Sequence, residues 1–197
     1  MQAFNGNIAT YTQSNGYLNV TVPGGSCGFC GVSDGARFTP RISALADDFE
    51  VVLTAEEVER VSRDSTKPLS NLQLLLTGST TELGIYITGD VIDNQGISGH
   101  QIISYYRNGA NIVYPLTRSL IVGQYYAFQF RIRRSDGVSY LAYRTSQDAA
   151  WTEFAVPASF PATASLVPSL VIASGDGGGT RANSSFKVTL DSISISQ

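Results

Sequence analysis

The first candidates for chemistry are two cysteines, Cys27 and Cys30, in the motif Cys-Gly-Phe-Cys. A structural zinc site needs four ligands, usually from a second such motif or a histidine pair, and this chain has one histidine, His100. A thioredoxin-like redox site would place the motif at the start of a helix, but glycines flank it and no helical pattern follows. We therefore expect a glycine-rich loop whose cysteines form a local disulfide or remain free thiols.

Carboxylates are the next candidates, because glycoside hydrolysis uses two of them placed across a sugar bond. Glu56, Glu57 and Glu59 form an acidic cluster, but neighbouring residues of a strand point to opposite faces. A serine or cysteine nucleophile needs a base, whereas His100 is predicted at a loop edge and no Gly-x-Ser-x-Gly motif is present. The sequence predicts that the protein is not an enzyme, with a divergent glycoside hydrolase as the minor alternative.

Asp90, Asp93 and Asn94 stand together in the segment Gly-Asp-Val-Ile-Asp-Asn and could offer several oxygens from one loop. Calcium takes about six to eight oxygen ligands of this kind, and Asp176 in a glycine-rich segment is a further candidate. Aspartate and asparagine also stabilise ordinary turns by hydrogen bonding to their own backbone. A calcium site and plain turns both stay open, and calcium is the one cofactor that the sequence suggests.

Aromatic and planar polar side chains are the third kind of candidate, because sugars stack on aromatic faces and bind to flanking polar groups. The chain has 10 tyrosines and one tryptophan, Trp151, which we expect at a packing position. The predicted residues of a shallow glycan-binding groove are Tyr86, Tyr105, Arg107, Gln129 and Arg131. The alternative for each is a solvated outer sheet face with cross-strand pairs.

The elements that must position these residues are predicted to be strands. Turn signals recur at short intervals, and Asn108-Gly109 and Asp136-Gly137 are strong hairpin signals. The run 125–133 alternates, with Tyr126, Phe128, Phe130 and Ile132 as the core stripe. One segment differs: Thr54-Ala55-Glu56-Glu57 has the form of a helix capping box, so a short helix is an open alternative there.

Composition sets the class and limits the partners. The chain has 197 residues, of which 43% are hydrophobic and 15% charged, which favours one β domain over residues 1–197 rather than disorder or long helices. The net charge of −3 argues against a nucleic-acid partner. No apolar run is long enough for membrane insertion, and the first residues lack the pattern of a signal peptide. A virion surface or an extracellular location is favoured.

Several stretches follow one another in an order that resembles the concanavalin A-like lectin/glucanase superfamily, including its laminin-G-like modules. They are Ala36–Arg41 with Asp47–Leu53, then Val122–Ile132 with the Asp136-Gly137 turn, Tyr140–Arg144 and Trp151–Phe154, and finally Pro168–Gly175 with the closing run Phe186–Ile195. The resemblance implies an all-β, two-sheet antiparallel β-sandwich of the jelly-roll kind. It also implies that ligands bind on the concave face or in the rim loops.

These observations favour a non-catalytic carbohydrate-binding, lectin-like module. Such a module could serve as an adhesion or receptor-binding domain of a phage tail or another surface assembly, with a glycan or cell-surface polysaccharide as its partner. The alternative is a structural or protein-interaction domain of a virion or surface assembly that has no sugar site. The catalytic branch of the resembling superfamily carries Glu-x-Asp-x-x-Glu or Glu-x-Asp-x-Glu on one strand, and neither spacing is present here.

Overall fold

A computed structural model of the chain describes residues 2–3, 9–22, 35–45, 47–59, 70–92, 98–121, 125–145, 150–161, 164–174 and 186–197. These residues form strands joined by turns and loops. The strands are β1 Gln2–Ala3, β2 Thr10–Ser14, β3 Tyr17–Val22, β4 Gly35–Phe38, β5 Phe49–Glu59, β6 Ser70–Thr77, β7 Thr81–Ile92, β8 Ser98–Asn108, β9 Asn111–Ile121, β10 Tyr125–Ser135, β11 Val138–Thr145, β12 Thr152–Ala155, β13 Val167–Ser174 and β14 Phe186–Ser196.

The strands form two antiparallel sheets of seven strands each. The front sheet has the order β1-β4-β13-β6-β7-β8-β9, and the back sheet has the order β12-β11-β10-β5-β14-β3-β2. Each sheet contains both neighbours that are distant in sequence, such as β5 and β14, and hairpin neighbours, such as β7 and β8. The all-β jelly-roll prediction is confirmed. The described residues include no helix long and apolar enough to cross a membrane.

The core lies between the sheets, where alternate residues of the central strands point inward. Leu83, Ile85 and Ile87 of β7 face Phe130 and Ile132 of β10 across this core, and all five side chains are almost completely buried. The intervening residues of both strands point away from the core. The outer faces of the two sheets therefore carry the polar and partly exposed side chains on which a binding site can be built.

Two predicted hairpins are confirmed, and each has the backbone geometry that its residues favour. Asp136 and Gly137 both have positive φ, 51° and 73°, and join β10 to β11, as a type I′ turn requires. Asn108 ends β8 and Gly109, with φ of 61°, begins the turn into β9. Because these turns fix the register, they also fix which side chains share a face.

The helix alternative for the capping-box segment is wrong. Residues 54–59 continue strand β5, and Thr54 pairs with Gln129 of β10 on one side and with Ser192 of β14 on the other. The hydrogen bonds of two neighbouring strands outweigh the weak local preference for a helix start. Glu56, Glu57 and Glu59 are thus strand residues.

Candidate functional site

Three tyrosines lie together on the outer face of the front sheet, and we call Tyr86, Tyr105 and Tyr114 the tyrosine cluster. The ring of Tyr105 is central: its centroid is 6.1 Å from that of Tyr86 and 5.9 Å from that of Tyr114. Tyr86 meets it edge-on, whereas Tyr114 is tilted by 44°. Tyr114, on the edge strand β9, is 57% exposed. The cluster forms a stepped aromatic surface on three neighbouring strands.

Tyr105 lies low over the sheet because the residue opposite it is glycine. Gly84 of β7 is the cross-strand partner of Tyr105. A Cβ at position 84 would be only 2.6 Å from Cζ of the Tyr105 ring. The ring therefore occupies the space that a side chain at position 84 would fill. It lies across β7 and reaches towards β6.

The hydroxyl of Tyr105 is held by two side chains from two other strands. Nε2 of Gln73, on β6, donates a hydrogen bond of 2.9 Å to it, and the hydroxyl in turn donates to Oε1 of Glu82 on β7. The second carboxylate oxygen of Glu82 accepts a 2.9 Å hydrogen bond from Nη2 of Arg107. This chain of contacts fixes the ring and places an ion pair beside it.

Burial raises the pKa of two tyrosines of the cluster, Tyr86 and Tyr105. It raises the pKa of Tyr86 to about 12, with a smaller contribution from Tyr114. The pKa of Tyr105 is raised further, first by burial and then by its hydrogen bond to the Glu82 carboxylate. An ionised phenol would lose solvation at both positions. Tyr86 and Tyr105 are therefore neutral at ordinary pH, and the Tyr86 hydroxyl can donate as well as accept.

The middle of this outer face is recessed. Gln73 and Leu75 of β6 and Ser169 of β13 point away from the core, yet they are only 8%, 5% and 6% exposed. Ser169 and Leu75 are directly opposite each other in the register of the two strands. Side chains that face outward and are nevertheless buried indicate that their neighbours stand higher than they do.

The five predicted groove residues do not form one groove. Tyr86, Tyr105 and Arg107 lie on β7 and β8 of the front sheet, whereas Gln129 and Arg131 lie on β10 of the back sheet. Both groups face outward, so the whole core separates them. The prediction of which residues point outward on each strand was correct. The prediction that all five residues lie on one face was wrong, because alternation does not determine which sheet a strand joins.

On the outer face of the back sheet, Gln129 and Arg131 belong to a dense polar network. Nη2 of Arg131 is 2.8 Å from the Glu153 carboxylate, which also accepts from Arg133 at 2.7 Å. The Arg131 guanidinium lies 4.3 Å from the ring centre of Trp151. Trp151 is half-buried, as expected for a packing residue. These groups bind largely to one another.

The calcium prediction falls mainly outside the described residues. Asp93, Asn94 and Asp176 are not among them, and Asp90 is a backbone position of β7 whose side chain is not described. Among the residues that the structure describes, no three His, Cys, Asp or Glu side chains form a group that could hold a metal ion. Cys27 and Cys30 also lie outside the described ranges, and His100 is a residue of β8.

Four residues around Tyr105 were not predicted from the sequence: Gln73, Glu82, Gly84 and Tyr114. A signal for two of them was present, since Glu82, Gly84 and Tyr86 alternate with the core residues Leu83, Ile85 and Ile87. Tyr114 lies in β9 beside the register shift of the β8–β9 pair, where simple alternation is interrupted. Gln73 could not be found in this way, because its place depends on the pairing of β6 with β7.

No protein-family model matches the chain, and no curated protein is similar to it in sequence. Solved structures of similar shape are numerous. The CBM2 module of the evolved Dit of Lactobacillus casei BL23 phage J-1 is 11% identical over 92% of this chain and 77% of its own, with a TM-score of 0.55. A legume lectin-like domain from Entamoeba histolytica is 10% identical over 96% of this chain and 87% of its own, with a TM-score of 0.53.

Alginate lyase A1-II′, a member of polysaccharide lyase family 7, is 13% identical over 98% of this chain and 84% of its own, with a TM-score of 0.58. Identities this low show a shared fold and nothing about a shared site. Two antiparallel sheets, their strand order and these similarities agree on one architecture. The chain has a two-sheet antiparallel jelly-roll fold similar to that of these structures.

Proposed function

We propose that this protein is a non-catalytic carbohydrate-binding module and that the tyrosine cluster is its binding surface. The observation that carries the proposal is the position of Tyr105, which is pinned low over Gly84 with partly exposed rings on both sides. Aromatic rings offer flat apolar faces to the C–H faces of sugars. A surface of fixed rings costs little conformational entropy when a ligand binds.

The polar groups around the cluster suit hydroxyl ligands. Arg107 is 36% exposed in its side chain and can donate from a guanidinium that Glu82 already orients. The neutral hydroxyl of Tyr86 can both donate and accept. Groups of this kind, beside aromatic faces, provide the directional contacts with which a sugar is recognised.

We propose that the protein is non-catalytic because the carboxylate at the tyrosine cluster is already engaged by other side chains. Hydrolysis of a glycoside commonly needs two carboxyl groups about 5–10 Å apart. Glu82 is the one carboxylate that the described residues bring to the tyrosine cluster, and Tyr105 and Arg107 engage both of its oxygens. The divergent glycoside hydrolase is tested by incubating the protein with polysaccharides. We expect no release of reducing ends.

The biological setting we propose is adhesion or receptor binding on a phage tail or another surface assembly. The fold likeness to a carbohydrate-binding module of a phage Dit protein supports this setting. The competing function is a structural or protein-interaction domain without a sugar site. It predicts a stable oligomer and no glycan binding, so sizing chromatography accompanies the binding experiment.

The experiment is a glycan-array screen of the purified protein, followed by calorimetric titration of the best glycan into three proteins: the parent and two tyrosine variants. Tyr114→Ala removes the most exposed ring of the cluster, and we expect an affinity loss of about tenfold or more, as for one stacked ring. Tyr11→Ala is the matched control, because Tyr11 is 55% exposed but lies on β2 of the back sheet.

Arg131→Ala tests the back sheet directly and should leave glycan affinity unchanged. Loss of binding in Arg131→Ala with normal binding in Tyr114→Ala would move the site to the back sheet and overturn the assignment. No binding to any glycan, together with a defined oligomer on sizing, would replace the proposal by the structural alternative.

A further inference from the structure

An open hollow of about 490 Å³ lies at the end of the sandwich where β6 turns into β7. This volume falls within the range of about 300–1,000 Å³ that small-molecule sites occupy. Its walls come from three separate parts of the chain: the turn after β6, the segment before β5 and the segment before β13. The lining residues are Ala44, Thr77, Gly78, Ser79, Thr80, Thr81, Pro161, Ala164, Ser165 and Val167.

The lining of the hollow mixes polar and apolar residues, and none of the described lining residues is charged. Half of the lining residues carry a hydroxyl group, and the others are alanine, glycine, proline or valine. Ser79, Thr80 and Ser165 are exposed. The hydroxyl of Thr77 has no hydrogen-bond partner among the described residues. Hydroxyls both donate and accept, and small apolar residues between them leave room for a ring, so the lining suits a neutral polyhydroxy compound better than an ion.

Backbone hydrogen bonds fix the walls of the hollow. The turn is closed by a 2.8 Å bond from the amide of Gly78 to the carbonyl of Thr81, and the Gly109 amide binds the Thr80 carbonyl at 2.8 Å. Leu45 and Leu166 exchange two bonds, of 2.7 and 2.9 Å, which join the other two walls. A site with walls fixed in this way needs no rearrangement before a ligand enters.

The hollow continues the outer face that carries the tyrosine cluster. Thr77 is directly opposite Glu82 of β7 and also directly opposite Val167 of β13. Side chains that are opposite one another in an antiparallel pair point to the same face. Glu82 in turn binds Tyr105 and Arg107. Residues that contact or lie directly opposite one another therefore connect Tyr114, through Tyr105 and Glu82, to the hollow.

We propose that the hollow is a second sugar subsite, which takes a neutral sugar unit of the same glycan chain that lies on the tyrosine cluster. This inference rests on the proposed function and extends it, because it names the ligand as a neutral oligosaccharide long enough to cover both places. An acidic polysaccharide would place carboxylates beside the Glu82 carboxylate and against a hollow whose described lining residues include no cation.

The test is calorimetric titration with neutral glucose, galactose and mannose oligosaccharides from disaccharide to hexasaccharide, and with oligouronates of the same lengths. We expect affinity for one neutral series to rise by about tenfold once the chain is long enough to reach the hollow. The variant Ala44→Trp fills the hollow from an exposed position. It should abolish that increase and leave the affinity for the short oligosaccharides unchanged. Ala155→Trp, at an exposed residue of β12 in the back sheet, is the matched control.

The possible failures can be distinguished. If Tyr114→Ala weakens binding but affinity does not depend on length, or if Ala44→Trp binds the long oligosaccharides normally, the hollow is not a subsite and the tyrosine site stands. Higher affinity for oligouronates than for neutral oligosaccharides would contradict the proposal that the ligand is neutral. If none of the oligosaccharides binds and the glycan array is also negative, both this inference and the proposed function are overturned.

Discussion

The ring of Tyr105 covers Gly84, its partner on the neighbouring strand, so closely that position 84 has no room for a Cβ. The two residues act as a unit: the glycine provides the space, and the tyrosine uses it to reach Gln73 and Glu82. Glycine inside a strand usually weakens it and marks a close approach of another group. Here the approaching group is the side chain on which the proposed binding surface is built.

This relationship predicts that Gly84→Ala forces the Tyr105 ring away from the sheet and breaks its contacts with Gln73 and Glu82. We expect a loss of about 1–3 kcal/mol of unfolding free energy, as for other overpacked sites, and weaker glycan binding. In a Tyr105→Ala background the same substitution meets no ring and should cost almost nothing. A double-mutant cycle by chemical denaturation measures this coupling, and additive effects of the two substitutions would contradict the contact.

Local sequence pattern was enough to predict how each strand of the site is oriented, but not which strands meet. The Asn108-Gly109 turn set the register that puts Tyr105 and Arg107 on the face opposite Tyr106. The β10–β11 hairpin shows an equally regular outer stripe with Gln129 and Arg131. Neither stripe indicates to which sheet its strand belongs, because sheet membership depends on pairing between distant segments, such as β5 with β14.

The raised pKa of Tyr86 predicts loss of stability at alkaline pH. In the unfolded chain a tyrosine ionises near pH 10, whereas burial raises the pKa of Tyr86 in the folded protein to about 12. The stabilising effect of its burial is complete below pH 10 and is lost as the pH rises from 10 towards 12. Denaturation measured across this range should show a smaller decline for Tyr86→Phe. An identical decline in both proteins would mean that Tyr86 titrates normally.

A calcium site at Asp90, Asp93 and Asn94 predicts that calcium raises the melting temperature, because an ion that binds only the folded state stabilises it. Asp93→Asn should remove this increase, whereas Asp191→Asn, at an exposed residue of β14, should retain it. Thermal melts with calcium and with a chelator measure the effect. Equal melting temperatures in the two conditions would leave these residues as ordinary turn formers.

The lowered pKa of Glu153 predicts that the fold loses stability in acid. Its hydrogen bonds from Arg133, together with the one from Arg131, hold its pKa below the ordinary value of 4.5. The network therefore stabilises the fold above pH 4.5 and loses this contribution as the pH falls below it. Glu153→Gln should cost about 0.5–1 kcal/mol at neutral pH and flatten the acid decline, measured by urea unfolding at several pH values. Glu56→Gln, at an exposed residue of β5, is the control. If it matches Glu153→Gln, the network adds nothing to stability.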